Sequence, residues 1–189
     1  MSKEQNINHL AENNMASLKE KSFITPEKKS KLLIPYALLC ELTHRCPLSC
    51  GYCSNPVQLE MRSNEISTPE WKKALSEAVK IGILQCHFSG GEPTARKDLE
   101  ELVLHARNIG LYTNLITSGV LINELRLKKL YDAGLDHIQI SIQDTDPKNS
   151  NKIAGFKGHE KKINACNLIR KNGMPLANNS VKHRQQLNN

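Results

Sequence analysis

His137-Ile138-Gln139-Ile140-Ser141-Ile142-Gln143 is the run that selects one architecture over another. Side chains alternate across a strand, so Ile138, Ile140 and Ile142 share one face and Gln139, Ser141 and Gln143 share the other. A doubly wound sheet is covered by helices on both faces and wants apolar residues on both. A strand with one polar face instead looks into a barrel lumen or a ligand cavity. The same unit repeats on either side of it. Gly82, Gly110, Gly134 and Gly173 each close a helical stretch two or three residues before a strand-like run. The spacing predicts strands over 36–42, 85–89, 112–117, 137–143 and 174–180. The intervening helices start at recognisable caps. Thr68 is followed by Pro69 and Glu70; Asp98 has Glu101 three residues on; Asn123 opens a third helix, and a fourth runs from about 159 to Gly173. Repeated β-α units imply a parallel sheet with helices outside it. The expected fold is α/β, a partial (β/α) barrel of four units plus a fifth strand, with its site at the C-terminal strand ends.

Composition narrows the function classes. The chain has 189 residues, 39% hydrophobic and 24% charged, the balance of a soluble globular protein. Aromatics at 4% argue against a nucleic-acid platform of stacked rings. The net charge of +7 is concentrated after residue 146, where nine basic residues accompany one acid. With no nucleic-acid module in view, that end reads as a solvated basic helix and tail. No apolar run approaches the roughly 18 residues of a membrane span, and the opening residues lack a secretory signal. The expected compartment is the cytoplasm, where thiols stay reduced and six cysteines point to metal or catalysis. Residues 1–31 are polar and read as a flexible extension, with a short helix near 10–19. Residues 32–189 form the expected barrel domain.

Two motifs carry chemistry. Cys46-Pro-Leu-Ser-Cys50-Gly-Tyr-Cys53 follows the first strand. Three thiolates hold three irons of a cubane cluster and leave the fourth iron open. A zinc site with a distant fourth ligand, His44 or Cys40, suits the spacing equally. Ser89-Gly90-Gly91-Glu92-Pro93 follows the second strand. Its glycines expose backbone groups at close range, and Glu92 adds an anion suited to an ammonium group. Both motifs at the ends of successive barrel strands favour the cluster.

On these motifs the chain resembles the radical S-adenosylmethionine enzymes. The resemblance implies that Cys46, Cys50 and Cys53 hold a 4Fe-4S cluster whose open iron is chelated by S-adenosylmethionine. It implies that Gly90, Gly91 and Glu92 take the amino group of that ligand and that Tyr52 lies against the adenine. Ser118, Ser141 and Gln143 match positions that reach the ribose and carboxylate. The stretches LTHRCPLSCGYCSNP, HFSGGEPTARKDLEELVLHARNIGLYTNLITSG and AGLDHIQISIQ, with the weaker PLANNSVKHR, further resemble the pyrroloquinoline quinone biosynthesis protein E family across 33–187. That likeness implies a 5′-deoxyadenosyl radical that joins a glutamate and a tyrosine of a precursor peptide by a carbon–carbon bond. It also implies a small peptide-chaperone protein and an external electron donor such as a flavodoxin, with no nucleic acid and no membrane. Members of that family are about twice as long and add a C-terminal domain of auxiliary clusters, so catalysis by this chain alone is not expected to follow automatically. The competing readings are a radical enzyme of the molybdenum-cofactor type and a non-catalytic metal- or peptide-binding fragment.

The remaining residues read as structural. Cys40, Cys86 and Cys166 fall within regular elements and are expected to be buried, inert thiols. Trp71 reads as packing, and Leu125, Leu127 and Leu130 as core. Glu41 and Thr43 are expected to share the lumen face, and His44 to sit beside the cysteine loop.

Overall fold

A computed structural model describes residues 35–55 and 62–182, and those from Tyr36 onward belong to one compact unit. The proposed extension and its helix near 10–19 lie outside the described residues. Five strands, β1 (Ala37–Glu41), β2 (Gln85–Ser89), β3 (Tyr112–Thr117), β4 (His137–Ser141) and β5 (Leu176–Asn179), form one sheet in the order of the chain. Every neighbouring pair is parallel. The connections carry α1 (Thr68–Lys80), α2 (Leu99–Asn108), α3 (Glu124–Asp132), and a pair, α4 (Pro147–Ala154) and α5 (His159–Lys171). Among the described residues β1 and β5 each pair on one side only, so the sheet is an open arc of a barrel.

One face of the sheet makes the core. Cys40, Cys86, Phe88, Leu115, Ile138 and Ile140 are all 0% exposed and pack under the helices with Leu75, Leu102, Leu130 and Ile169. Each large apolar side chain buried this way contributes roughly 1.5–3 kcal/mol. The other face is the polar one expected from β4. Gln139 and Ser141 are half-buried between the fully buried isoleucines. Lower on that face the register sets His87 beside Asn114 and Asn114 beside His137. Asn114 Nδ2 lies 3.0 Å from His87 Nδ1, and its Oδ1 lies 2.7 Å from His137 Nδ1. The polar lumen residues thus satisfy one another across three strands.

Several boundaries differ from those expected, each for a local reason. The cap of α1 is Ser67, because the Glu70 carboxylate accepts from the Ser67 amide at 2.9 Å and its hydroxyl at 2.6 Å. Thr68 donates instead to Asp98 Oδ2 at 2.5 Å. Asp98 occupies the cap position of α2 without bonding its amides, since Arg96 also claims the carboxylate. Asn123 caps α3 as expected, accepting from the Arg126 amide at 2.8 Å. Within α3, Leu127 and Leu130 are core but Leu125 is 65% exposed, a correction that follows from the helical turn carrying it to the outer face. β4 stops at Ser141, leaving Gln143 in the loop beyond. Helix α4 was not anticipated. Its signals are Asp146 bonding the Asn149 amide, Pro147 at the first position and Gly155 in the left-handed conformation after its last turn. Its apolar content is too low to show a periodic stripe. Trp71 is packed into the core as expected, and Cys40, Cys86 and Cys166 are buried thiols.

Candidate radical centre at the strand ends

The cysteine loop leaves β1 and is clasped at once by the loop after β2. Leu42 N donates to Ser89 O, Gly91 N to Thr43 O at 2.6 Å, and Glu92 N to Arg45 O at 2.7 Å. This approach explains the glycines physically. A Cβ on Gly90 would lie 2.5 Å from Thr43 O, and one on Gly91 2.5 Å from His44 O and 2.6 Å from Arg45 O. Gly90 also has φ of +126°, which disfavours any side chain. The far side of the cysteine loop rests on the end of α4. Ser49 N donates to Ala154 O at 2.9 Å, and a Cβ on Gly155 would lie 2.2 Å from Ser49 Oγ. Asn55 closes the loop by donating its side chain to His44 O at 2.7 Å.

A cavity of about 200 Å³ opens between these segments at the C-terminal ends of β2, β3 and β4. Of the ten residues singled out in the sequence, Cys46, Cys50, Cys53, Tyr52, Gly90, Gly91, Ser118, Ser141 and Gln143 line it. Glu92 does not. It is 0% exposed and its two oxygens accept from Thr94 N, Thr94 Oγ1, Thr117 Oγ1, Ser118 N and Ser118 Oγ. In this arrangement the carboxylate binds the end of β3 to the glycine loop. Thr43 is buried as well, its hydroxyl donating to Glu65, whereas Glu41 is exposed on β1.

The thiols respond to this setting. Burial pushes the Cys46 thiol up, opposed by the Leu48 amide that donates to its sulfur at 3.4 Å. Burial also pushes Cys50 up, opposed by the charge of Lys162. Cys53 is exposed and receives the Asn55 amide at 3.4 Å. Among the described residues no three side chains of His, Cys, Asp or Glu are drawn together as closely as a bound metal requires. The donor set nevertheless suits an iron–sulfur cluster: three soft sulfur ligands on one cavity, two of them already accepting backbone N–H groups. Burial likewise raises the Tyr52 phenol, opposed by the amide of Gln143, whose Nε2 donates to Tyr52 Oη at 3.1 Å.

A larger cavity of about 420 Å³ lies over the segment before α1 and the Arg96–Asp98 turn. Four of its charged groups, Arg45, Glu65, Arg96 and Asp98, are committed to one another. Arg45 reaches Glu65 at 3.2 Å, and Arg96 reaches Asp98 at 2.7 Å and the carbonyls of Leu42 and Ile66 at 2.9 and 3.0 Å. This network braces the chain around the cysteine loop.

An open parallel arc with three cysteines on the loop after its first strand and a double glycine after its second defines a class. The radical SAM superfamily model matches residues 40–186, and the chain belongs to that superfamily. It is 57% identical over 155 residues to the PqqA peptide cyclase of Rhodopseudomonas palustris and 56% identical over 155 residues to that of Bradyrhizobium diazoefficiens. Each match covers 82% of this chain and 41% of the relative, so the chain spans less than half the length of these curated relatives. In fold it is similar to Streptococcus suis SuiB bound to the precursor peptide SuiA, with a TM-score of 0.72 at 23% identity over 85% of this chain and 37% of that one. SuiB bound to S-adenosylmethionine gives 0.72 at 22% identity, over 85% and 39%. Superfamily membership implies a 4Fe-4S cluster and S-adenosylmethionine. No helix among the described residues is long and apolar enough to cross a membrane.

Two parts of the site were not foreseen. One is the α4 terminus under Ser49. The other is Lys162, which is 1% exposed and donates to Ser141 O at 3.1 Å and to Gln143 Oε1. A signal for it existed. His159, Lys162, Ala165, Cys166 and Ile169 form the buried stripe of α5, so Lys162 occupies a core position of a basic helix.

Proposed function

We propose that this chain carries the radical-generating part of a peptide cyclase that joins a glutamate and a tyrosine side chain of a small precursor peptide. The observation that supports this most is the convergence of nine motif residues on one cavity at the strand ends, in a chain 57% identical to a PqqA peptide cyclase over that region. Cys46, Cys50 and Cys53 would hold the cluster. Gly90 and Gly91 would offer backbone groups to the amino end of S-adenosylmethionine, Tyr52 its ring to the adenine, and Ser118, Ser141 and Gln143 polar groups to the ribose and carboxylate. The cluster and S-adenosylmethionine supply, when bound, the electron and the deoxyadenosyl radical that begin the reaction. The chain's own residues orient these groups and exclude water from the cavity. Glu92 acts on the site by holding the Thr117–Ser118 end of β3 against the glycine loop. A peptide-chaperone protein and an external electron donor complete the proposed system, in the cytoplasm.

The test is anaerobic reconstitution with iron and sulfide, followed by a dithionite-driven assay for 5′-deoxyadenosine. The wild-type chain is expected to bind iron and form deoxyadenosine, and Cys46→Ala to lose both. Cross-linking of an added precursor peptide is read as a product lighter by two hydrogens. Stoichiometric zinc in place of iron would overturn the reading.

A further inference from the structure

The buried Lys162 ammonium has no place in the functional assignment above, yet its geometry reaches the cavity in two steps. An ammonium carries donors only. The atom of the Gln143 amide that faces it must therefore be the oxygen, and the contact to Gln143 Oε1 fixes the amide's orientation. The Ser141 carbonyl at 3.1 Å holds the ammonium in line with the end of β4. Gln143, 2% exposed, is then left to direct its NH2 group the other way, where Nε2 donates to Tyr52 Oη at 3.1 Å. Tyr52 stands between Cys50 and Cys53 on the loop and lines the cavity. A cation at a core position of α5 is expensive to bury, and an apolar side chain of the same length packs there at lower cost. Its presence there is explained if it orients something.

We propose that Lys162 is a positioning residue: by holding Gln143 Oε1 it aims the Gln143 NH2 group at Tyr52 and sets the tyrosine ring against the ligand cavity. The role of the ring in binding S-adenosylmethionine rests on the function proposed above; the Lys162–Gln143–Tyr52 relay does not.

The relay is tested first in the cluster-free chain. Replacing the four tyrosines by 3-fluorotyrosine gives one fluorine resonance each for Tyr36, Tyr52, Tyr112 and Tyr131, with Tyr52 assigned by Tyr52→Phe. Lys162→Met is expected to shift or broaden the Tyr52 line as Gln143→Met does. The double variant is expected to add no further shift, and the lines of Tyr112 and Tyr131 to stay in place. A Tyr52 line unmoved in Lys162→Met, or shifts that simply add in the double variant, overturns the proposal. General loss of packing would move the other tyrosines as well, and this outcome also counts against it. If Lys162→Met fails to fold, Lys162→Arg decides: a guanidinium that reaches the same two oxygens keeps the Tyr52 line in place, and a displaced line in the folded variant refutes the relay. In the reconstituted protein, S-adenosylmethionine affinity is expected to fall about tenfold in Lys162→Met, and adding Lys162→Met to Gln143→Met is expected to cost nothing more. A wild-type protein that binds no S-adenosylmethionine overturns the proposed function and leaves the fluorine result standing.

Discussion

Glu92 shows how a residue is placed by more than its motif. The sequence locates it beside two glycines at a strand end, and an anion there reads naturally as a receptor for an ammonium group. Thr94 is a local partner two residues on, but the positions of Thr117 and Ser118 relative to Glu92 are set by the β2–β3 crossover, which no local pattern states. Their hydroxyls and amides converge on the carboxylate and take up both oxygens. Hydrogen bonds to a charged group contribute about 1.5–3 kcal/mol each, and a buried donor left unpaired costs about 1–3 kcal/mol. Glu92→Gln keeps the shape but turns an NH2 group toward donors on one side of the fork. It is expected to lower the unfolding free energy of the cluster-free chain by about 2 kcal/mol, and Glu92→Ala by more. Urea denaturation of the three proteins measures this. A Gln variant as stable as wild type would mean that the carboxylate is free to turn toward a ligand.

Among the elements, the strands and the glycine-terminated helices were readable because two periodicities and one stop signal agree. β2 and β3 fall on the expected residues, and α5 begins where expected. Helix α4 was not readable by period, because Ile153 and Ala154 are its only buried apolar positions and its caps had to be taken alone. The bracing between elements was equally hidden, since Asp98 joins segments far apart in the chain. Its carboxylate accepts from Thr68 at the start of α1 and from Arg96, whose guanidinium also reaches the carbonyl of Leu42 beyond β1. Burial is the largest influence on Asp98 and raises its pKa. The bonds from Arg96 and Thr68, with the Arg96 charge, together outweigh it and hold the carboxyl at about 2, against an ordinary 3.8. A depressed folded-state pKa means stability that is present above the ordinary value and is lost as pH falls through the folded one. The stability difference between wild type and Asp98→Asn is therefore expected to be constant above pH 4 and to shrink from about pH 4 toward about pH 2. Glu65, which is also held below its ordinary range, keeps the variant from becoming fully insensitive to acid. Denaturant unfolding at stepped pH checks this. A difference that persists below pH 2, or none at neutral pH, would remove Asp98 from the bracing.

Taken together, the sheet sorts the chain's chemistry by face, and its six cysteines report that sorting. The helix-side face closes over Cys40 and Cys86, and Cys166 is buried on the inward stripe of α5. Burial pushes Cys40 up to about 12 and raises Cys86 further, with the charges of Cys40 and Asp136 adding to it; Cys166 is raised by burial too. A thiol with a pKa of about 12 holds about one ten-thousandth of its population as thiolate at pH 8, against roughly a quarter for an ordinary cysteine. The cavity-side thiols are more open to solvent. Cys53 is exposed, and Cys46 and Cys50 are half-buried beside open space. Position within elements already marked the first three as inert in the sequence, whereas the grading among the second three depends on how the loop lies on α4 and α5. In the folded, cluster-free chain at pH 8, an aromatic disulfide reagent is expected to label Cys53 first, then Cys46 and Cys50. Cys40, Cys86 and Cys166 are expected to react at least a hundredfold more slowly until denaturant is added. Peptide mapping by mass spectrometry assigns the sites. Early labelling of Cys40 or Cys86 would mean that the helices do not seal the outer face of this open arc. Protection of both, with rapid labelling of the loop, would show that the arc is a closed scaffold carrying an accessible three-thiol site before any cluster is built.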